Sequence, residues 1–238
     1  MHSIYCDYAD HVVFQSEYCR LQCLEIFGEC NMRPYKIIHN GVDPTIFFPG
    51  KQLFSIDGPV EFITTGNFRR PVMLKPILDA LDSLKNKFPF RLHICGPIKD
   101  ELIPLFDGKQ YVITYGGQTP KVVANLLRKS HVFLFSNINP PCPNSVLEAV
   151  ASGLPVVSFN SGSLSELLHF SRDLLADVSP DIIQLSEDMH YELLAEKILS
   201  VVEHYSRFQT IARKYASEVT FSKCGDAYRE IFLSAIMT

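Results

Sequence analysis

Residues 137–170 of this 238-residue chain read NINPPCPNSVLEAVASGLPVVSFNSGSLSELLHF, and they combine a stiff loop, two helix starts and two glutamates at matching offsets. Pro140, Pro141 and Pro143 each fix their own φ and restrict the residue before them, so the loop is extended and rigid. The spacing predicts a helix that starts abruptly near Asn144, with Ser145 and Glu148 in capping-box spacing and Gly153 followed by Pro155 as its stop. The apolar run Pro155 to Phe159 suits a strand covered on both faces. A glycine-containing turn, Asn160 to Gly162, then opens a second helix, where Ser163 and Glu166 repeat the spacing. Helix starts carry unpaired N–H groups and a positive dipole end, so two of them beside neighbouring strand ends would stabilise a phosphate. The same serine and glutamate pairs also read as ordinary helix caps.

The elements that must position these residues follow from periodicity. Residues 10 to 40 read strand, helix, strand: His11 to Gln15, Ser16 to Phe27 with Ser16 as N-cap, and Tyr35 to His39. Asn40-Gly41 suits a tight turn with positive φ, and Asp43-Pro44 suits an N-cap followed by proline at the first helical position. From Val60 the alternation is regular, with strands near 60–65, 91–95, 111–115, 131–136 and 155–159. Ile77, Leu78, Leu81 and Leu84 form one helical core stripe, and Val122, Val123, Leu126 and Leu127 another. The fold class is therefore α/β: a doubly wound, Rossmann-like parallel sheet with helices on both faces, preceded by an N-terminal βαβ unit. With strand order 3-2-1-4-5, the first and fourth strands of the regular region meet at the topological switch point. Their loops, Gly66 to Arg70 and the proline-rich loop after Ser136, then lie side by side. Beyond Phe170, helices are expected near 190–204, 207–218 and 222–236. The last has an apolar stripe of Tyr228, Ile231, Phe232 and Ile236, open either to its own domain or to the N-terminal unit.

The words NPPCPNSVLEAVASGLPVVSFNSGSLSEL resemble the donor-binding half of retaining GT-B glycosyltransferases, specifically family 4, group 1. That family has two glutamates separated by seven residues, then Ala-x-Ala-x-Gly-x-Pro-Val and a glycine turn ending in Glu. Glu148, Ala149, Ala151, Gly153, Pro155, Val156 and Glu166 match, whereas Pro140 stands where the first acidic residue is expected. HNGVDPTIFFP, from His39 to Pro49, resembles the segment joining the two GT-B domains. The resemblance implies a boundary, with 1–43 as the tail of an acceptor domain plus hinge and 44–238 as a nucleotide-sugar-binding domain.

It also implies roles. Glu148 would accept hydrogen bonds from the nucleotide ribose, and the backbone of Asn144, Ser145 and Val146 would meet the pyrophosphate. Arg69, Arg70 and Lys75, after the Gly66-Asn67 turn, would neutralise the leaving diphosphate. Gly96, Tyr115 and Gly116 end strands where the family's backbone grips the base. Pro140 supplies neither carboxylate nor N–H to a donor sugar, which leaves Asn137 or Asn139 as replacements. No catalytic base is nominated. The implied reaction moves a sugar from a UDP- or GDP-linked donor to an acceptor hydroxyl, with no separate cofactor. An inactive nucleotide-binding module is the second reading, and an unrelated doubly wound partner-binding domain the third.

Composition narrows the remaining classes. The chain is 47% hydrophobic, enough for a sizeable core, and its net charge of −4 with scattered basic residues argues against nucleic acid. No P-loop, Gly-x-Gly-x-x-Gly or Asp-x-Asp is present, consistent with a metal-independent transferase. The start MHSIYCDYAD lacks the pattern of a leader, and no apolar run approaches the ~18 residues of a membrane span. A cytoplasmic protein is expected. Seven cysteines in an odd set, without Cys-x-x-Cys, read as free thiols. Cys19 and Cys23 share a helix face, but no His or Asp completes a metal site. The expected partners are the nucleotide-sugar and an acceptor-binding domain or subunit, with self-association through the apolar N-terminal unit if that partner is absent.

Overall fold

The computed structural model describes residues 8–28, 34–50, 56–178 and 191–236. The chain-start reading, apart from its last three residues, and the Cys6 and Cys30 thiols fall outside them. A six-stranded parallel sheet forms the centre: β3 (Val60–Thr65), β4 (Phe90–Cys95), β5 (Val112–Gly116), β6 (Val132–Phe135), β7 (Val156–Phe159) and β8 (Leu175–Ala176). Before it come β1 (Val12–Phe14), α1 (Glu17–Phe27) and β2 (Tyr35–Ile37), a βαβ unit whose two strands pair in parallel. The large sheet has the order β5-β4-β3-β6-β7-β8. Beginning the count at β3, that is 3-2-1-4-5 with one more strand at the edge, so β3 and β6 are neighbours as expected. The added strand, two residues long, carries too little pattern to be read from sequence.

Helices cover both faces: β6 and β7 are buried on both, whereas β3 and β4 are apolar on one face and carry Glu61, Arg91 and His93 on the other. Phe62, Leu92, Ile94, Leu134 and Val157 pack with Ile77, Leu78, Leu81 and Leu84 of α2 (Lys75–Leu84) and with Leu194, Ile198 and Val201 of α6 (Tyr191–Glu203). On the other face, Ile63, Phe133 and Val156 pack with Leu127 of α3 (Pro120–Lys129), Val146, Leu147 and Val150 of α4 (Asn144–Ala151), and Leu164 of α5 (Leu164–Leu167). Of the second stripe, Leu127 is buried with Ala124 and the partly buried Val123 and Leu126 pack against the core, while Val122 departs from expectation at 38% exposed; Val123 also lines a cleft.

Two local readings need correction. Neither Asn40 nor Gly41 has positive φ; Gly41 is required because a Cβ there would lie 2.6 Å from the Thr220 carbonyl oxygen. No helix starts at Pro44. Asp43 instead closes a single turn, its Oδ1 accepting from the Thr45 amide at 2.8 Å and its carbonyl from the Phe47 amide at 2.9 Å.

The N-terminal unit is joined to the large domain through the site loop. Ser16 caps α1, accepting from the Cys19 amide at 3.1 Å, while its own hydroxyl donates to the Pro141 carbonyl at 2.6 Å. Glu166 of α5 completes that cap, its carboxylate accepting from the Glu17 amide at 3.0 Å and the Tyr18 amide at 3.2 Å. After α7 (Tyr205–Tyr215), the last helix, α8 (Phe221–Ile236), crosses back to this unit. Val42 exchanges backbone hydrogen bonds of 2.9 Å with Val219 and Phe221, and Lys36 Nζ reaches Glu230 at 2.6 Å. Of the two open readings for α8, the crossing is the one observed.

Candidate active site

The C-terminal ends of β3 and β4 form the floor of a cleft of about 540 Å³, with the start of α4 as one wall and the loop after β5 as the other. Thr65, Gly66, Cys95, Gly96, Gln118, Ser145 and Glu148 are among its lining residues. The floor is glycine because two backbones cross there. Gly96 has φ +139, and a Cβ on it would overlap the Gly66 carbonyl oxygen. The Gly66 amide donates to the Cys95 carbonyl at 3.1 Å and the Gly96 amide to Gly116 at 2.8 Å, so three strand ends are stitched in sequence.

Pro143 occupies the N-cap position of α4 with extended backbone and no side-chain cap. The Ser145–Glu148 capping box is therefore absent: the helix starts two residues earlier than that reading requires, and Ser145 lies inside its first turn. Three residues apart, Ser145 and Glu148 share a face, and both line the cleft. No described residue hydrogen-bonds to the Glu148 carboxyl, and burial alone lifts its pKa to about 7. The first-turn amides divide. Val146 and Leu147 donate back to the Pro143 carbonyl at 3.1 and 3.2 Å, so Val146 does not present its N–H to a ligand, contrary to expectation. Asn144 and Ser145 make no such bond, although the Asn144 side chain accepts from Asn40 Nδ2 at 2.8 Å.

Sequence reading missed Thr65. Its side-chain oxygen is buried without a hydrogen-bond partner, and it lines both the main cleft and an adjoining one of about 50 Å³ that also contains Asn67, Ser136 and Asn137. A threonine inside a strand carries no signal beyond β propensity.

The remaining predicted residues are scattered. Arg69 and Arg70 are exposed on the turn after β3 and line neither cleft. Lys75 Nζ is 2.9 Å from Asp79, four residues along α2. The Tyr115 side chain turns to His93, its hydroxyl 2.9 Å from Nδ1, and the cleft wall comes from Gly117, Gln118 and Thr119 instead. Asn139 takes positive φ (+54) and its amide donates to Ser161 at 3.0 Å. Pro140 is buried: a Cβ on Gly162 would meet it at 2.6 Å, and its carbonyl accepts from the Ser163 amide at 3.0 Å.

The second helix start is not part of the site. Helix α5 is one turn long, Ser163 is fully buried, and its hydroxyl is unpartnered rather than capping. Cys142 is likewise buried, which raises its thiol pKa and leaves a packing residue. No group of three or more metal-binding side chains occurs among the described residues, and no described helix is long and apolar enough to cross a membrane.

A doubly wound sheet with a cleft at its switch point, an unpaired carboxylate and an open helix start places the chain in the class of α/β proteins that hold a ligand beyond their strand ends. A family model described as Glycosyl transferases group 1 matches residues 59–203, more than half of the chain, and the protein belongs to that family. No curated protein sequence matches it.

Solved structures agree on the fold. Sucrose-phosphate synthase from Thermosynechococcus elongatus superposes with a TM-score of 0.75 at 17% identity, over 98% of this chain and 61% of that one. HepE from Anabaena, in complex with UDP and glucose, gives 0.76 at 16% identity over 98% and 65%. The GtfA/B complex gives 0.77 at 16% over 96% and 46%. The chain thus spans between about half and two thirds of the length of these structures.

Proposed function

We propose that this chain is the donor-binding half of a retaining, family 4, GT-B glycosyltransferase, moving a sugar from a UDP- or GDP-linked donor to an acceptor hydroxyl. The observation that carries the reading is Glu148: a half-buried carboxylate with no hydrogen-bond partner among the described residues, facing a cleft beside an open helix start. Burying such a group is costly unless a ligand supplies its donors. Two vicinal ribose hydroxyls would do so. The α- and β-phosphates then lie against the Asn144 and Ser145 amides and the Thr65 hydroxyl, with the base against Pro97 and the wall Gly117–Thr119. HepE, of the same fold, is described with UDP and glucose bound, which supports a uridine donor.

In this reading the helix start and the exposed Arg69 and Arg70 stabilise the charge that builds on the departing diphosphate. The absence of Asp-x-Asp supports metal-independent departure. The acceptor hydroxyl arrives on the leaving-group face, so the new bond keeps the configuration of the old one. Residues 1–43 belong to the acceptor side of the molecule, whose remainder is another domain or subunit. That the fold recurs in the GtfA/B complex supports such an assembly, and a cytoplasmic location completes the proposal.

A second reading, a nucleotide-binding module without transfer activity, is favoured by Pro140, which is buried and tied to Ser163 where the family offers the sugar a carboxylate. Calorimetric titration with UDP and GDP tests binding, and addition of an acceptor domain to the UDP-sugar separates the two readings. Glu148→Ala is expected to weaken nucleoside diphosphate binding by about 1–3 kcal/mol. Unchanged affinity in a folded variant refutes the assignment.

A further inference from the structure

One polar cluster in the sheet is not explained by the cleft. Glu61 of β3, His93 of β4 and Tyr115 of β5 form a line across three adjacent strands. His93 Nε2 is 2.7 Å from Glu61 Oε2, its Nδ1 is 2.9 Å from the Tyr115 hydroxyl, and the other Glu61 oxygen accepts from Arg91 at 2.8 Å. With hydrogen on Nε2 every donor meets one acceptor: the tyrosine donates to the imidazole and the imidazole to the carboxylate. The side chains of Glu61 and His93 are only 19% and 15% exposed. A desolvated chain of this kind is retained at a cost, and fully satisfied it rigidifies what it holds.

Strand register identifies what is held. Between β4 and β5 the pairing slips, so that Ile94 faces Thr114 but Cys95 faces Gly116, leaving Tyr115 as the extra residue of a bulge. Bulges re-aim the chain that follows them. Here the chain that follows is the cleft wall. Past the bulge, the Gly116 carbonyl accepts from the Gly96 amide at 2.8 Å and the Tyr115 carbonyl from Gln118 Nε2 at 2.7 Å, and Gly117, Gln118 and Thr119 border the cleft. The Tyr115 side chain is thus anchored on the sheet while its backbone carries the wall.

We propose that His93, oriented by Glu61, is a positioning residue that pins the Tyr115 bulge and thereby sets the Gly117–Thr119 wall for the base of a nucleoside diphosphate. The inference rests on the functional reading above for the identity of the ligand, but its mechanical part stands apart from it. A purely structural role for His93 would change stability and nothing at the wall.

The test uses the full chain with Tyr115→Phe, His93→Ala and His93→Gln, titrated with UDP, GDP and inorganic pyrophosphate, alongside amide hydrogen exchange at Gly96. Tyr115→Phe and His93→Ala are expected to weaken the better-bound nucleotide about ten-fold, leave pyrophosphate within about two-fold, and speed exchange at Gly96. His93→Gln, which keeps one donor and one acceptor, recovers most of both. Tyr115→Phe retains the ring and so remains informative if His93→Ala does not fold. Unchanged nucleotide affinity and unchanged Gly96 exchange, with only a lower melting temperature, overturn the proposal. If the parent protein binds neither nucleotide, the functional reading and the base-positioning claim fall together, and Gly96 exchange then decides whether His93 holds the wall at all.

Discussion

Glu148 is the residue where stability and function pull in opposite directions. Its carboxyl titrates at about 7 in the folded chain, raised by burial, against an ordinary value of 4.5. Between those two values the folded state keeps a proton that the unfolded state releases, so folding is weakened as pH rises through that window. Glu148→Gln removes the effect. Its melting curve is expected to match the parent near pH 4.5 and to lie above it by about 1–3 kcal/mol at pH 8, a range discounted for partial exposure. Thermal melts at the two pH values check this, and equal differences at both would refute it. Gly96 fails differently. Its φ and its approach to Gly66 exclude a side chain, so Gly96→Ala should cost about 2–4 kcal/mol in a denaturant titration.

Among elements, caps show where sequence rules succeed and where tertiary contacts replace them. Ser16 caps α1 as its position suggests, and Gly153 ends α4 with φ +78. The strands were legible because they leave short apolar or alternating runs between turn residues, and the pairing of β3 with β6 followed from topology alone. Neither capping box forms, for reasons that spacing does not carry: Ser145 lies just inside α4 and faces the cleft, and Ser163, though at the N-cap of α5, is buried and makes no cap bond. Nor could Glu166 be assigned: it lies 149 residues from the amide it caps, at Glu17. Glu166→Ala is expected to speed exchange of the Glu17 and Tyr18 amides and cost about 1 kcal/mol. Ser163→Ala, by contrast, removes a buried hydroxyl without a partner, and its melting temperature should equal or exceed the parent's. The cleft residues were legible where glycine and glutamate left a pattern, and lost where a threonine or a bulge did the work.

At the scale of the whole molecule, the two-stranded sheet β1-β2 has no further strands among the described residues, and Leu21, Ile26 and Tyr35 beside it are exposed. Phe232, Leu233 and Ile236 of α8 add an apolar surface to the same unit. The purified chain should therefore self-associate. Light scattering that shows a monodisperse monomer would overturn that expectation. The crossing of α8 has a mechanical consequence. Because Val42 is bonded to the backbone at both Val219 and Phe221, the polypeptide passes between its two bodies twice at one spot, once outward and once back. With the Ser16–Pro141 and Glu166–Glu17 hydrogen bonds as a second fastening at the site loop, this double passage clamps the N-terminal unit at two separated points, so that neither contact alone carries the load of holding it in place.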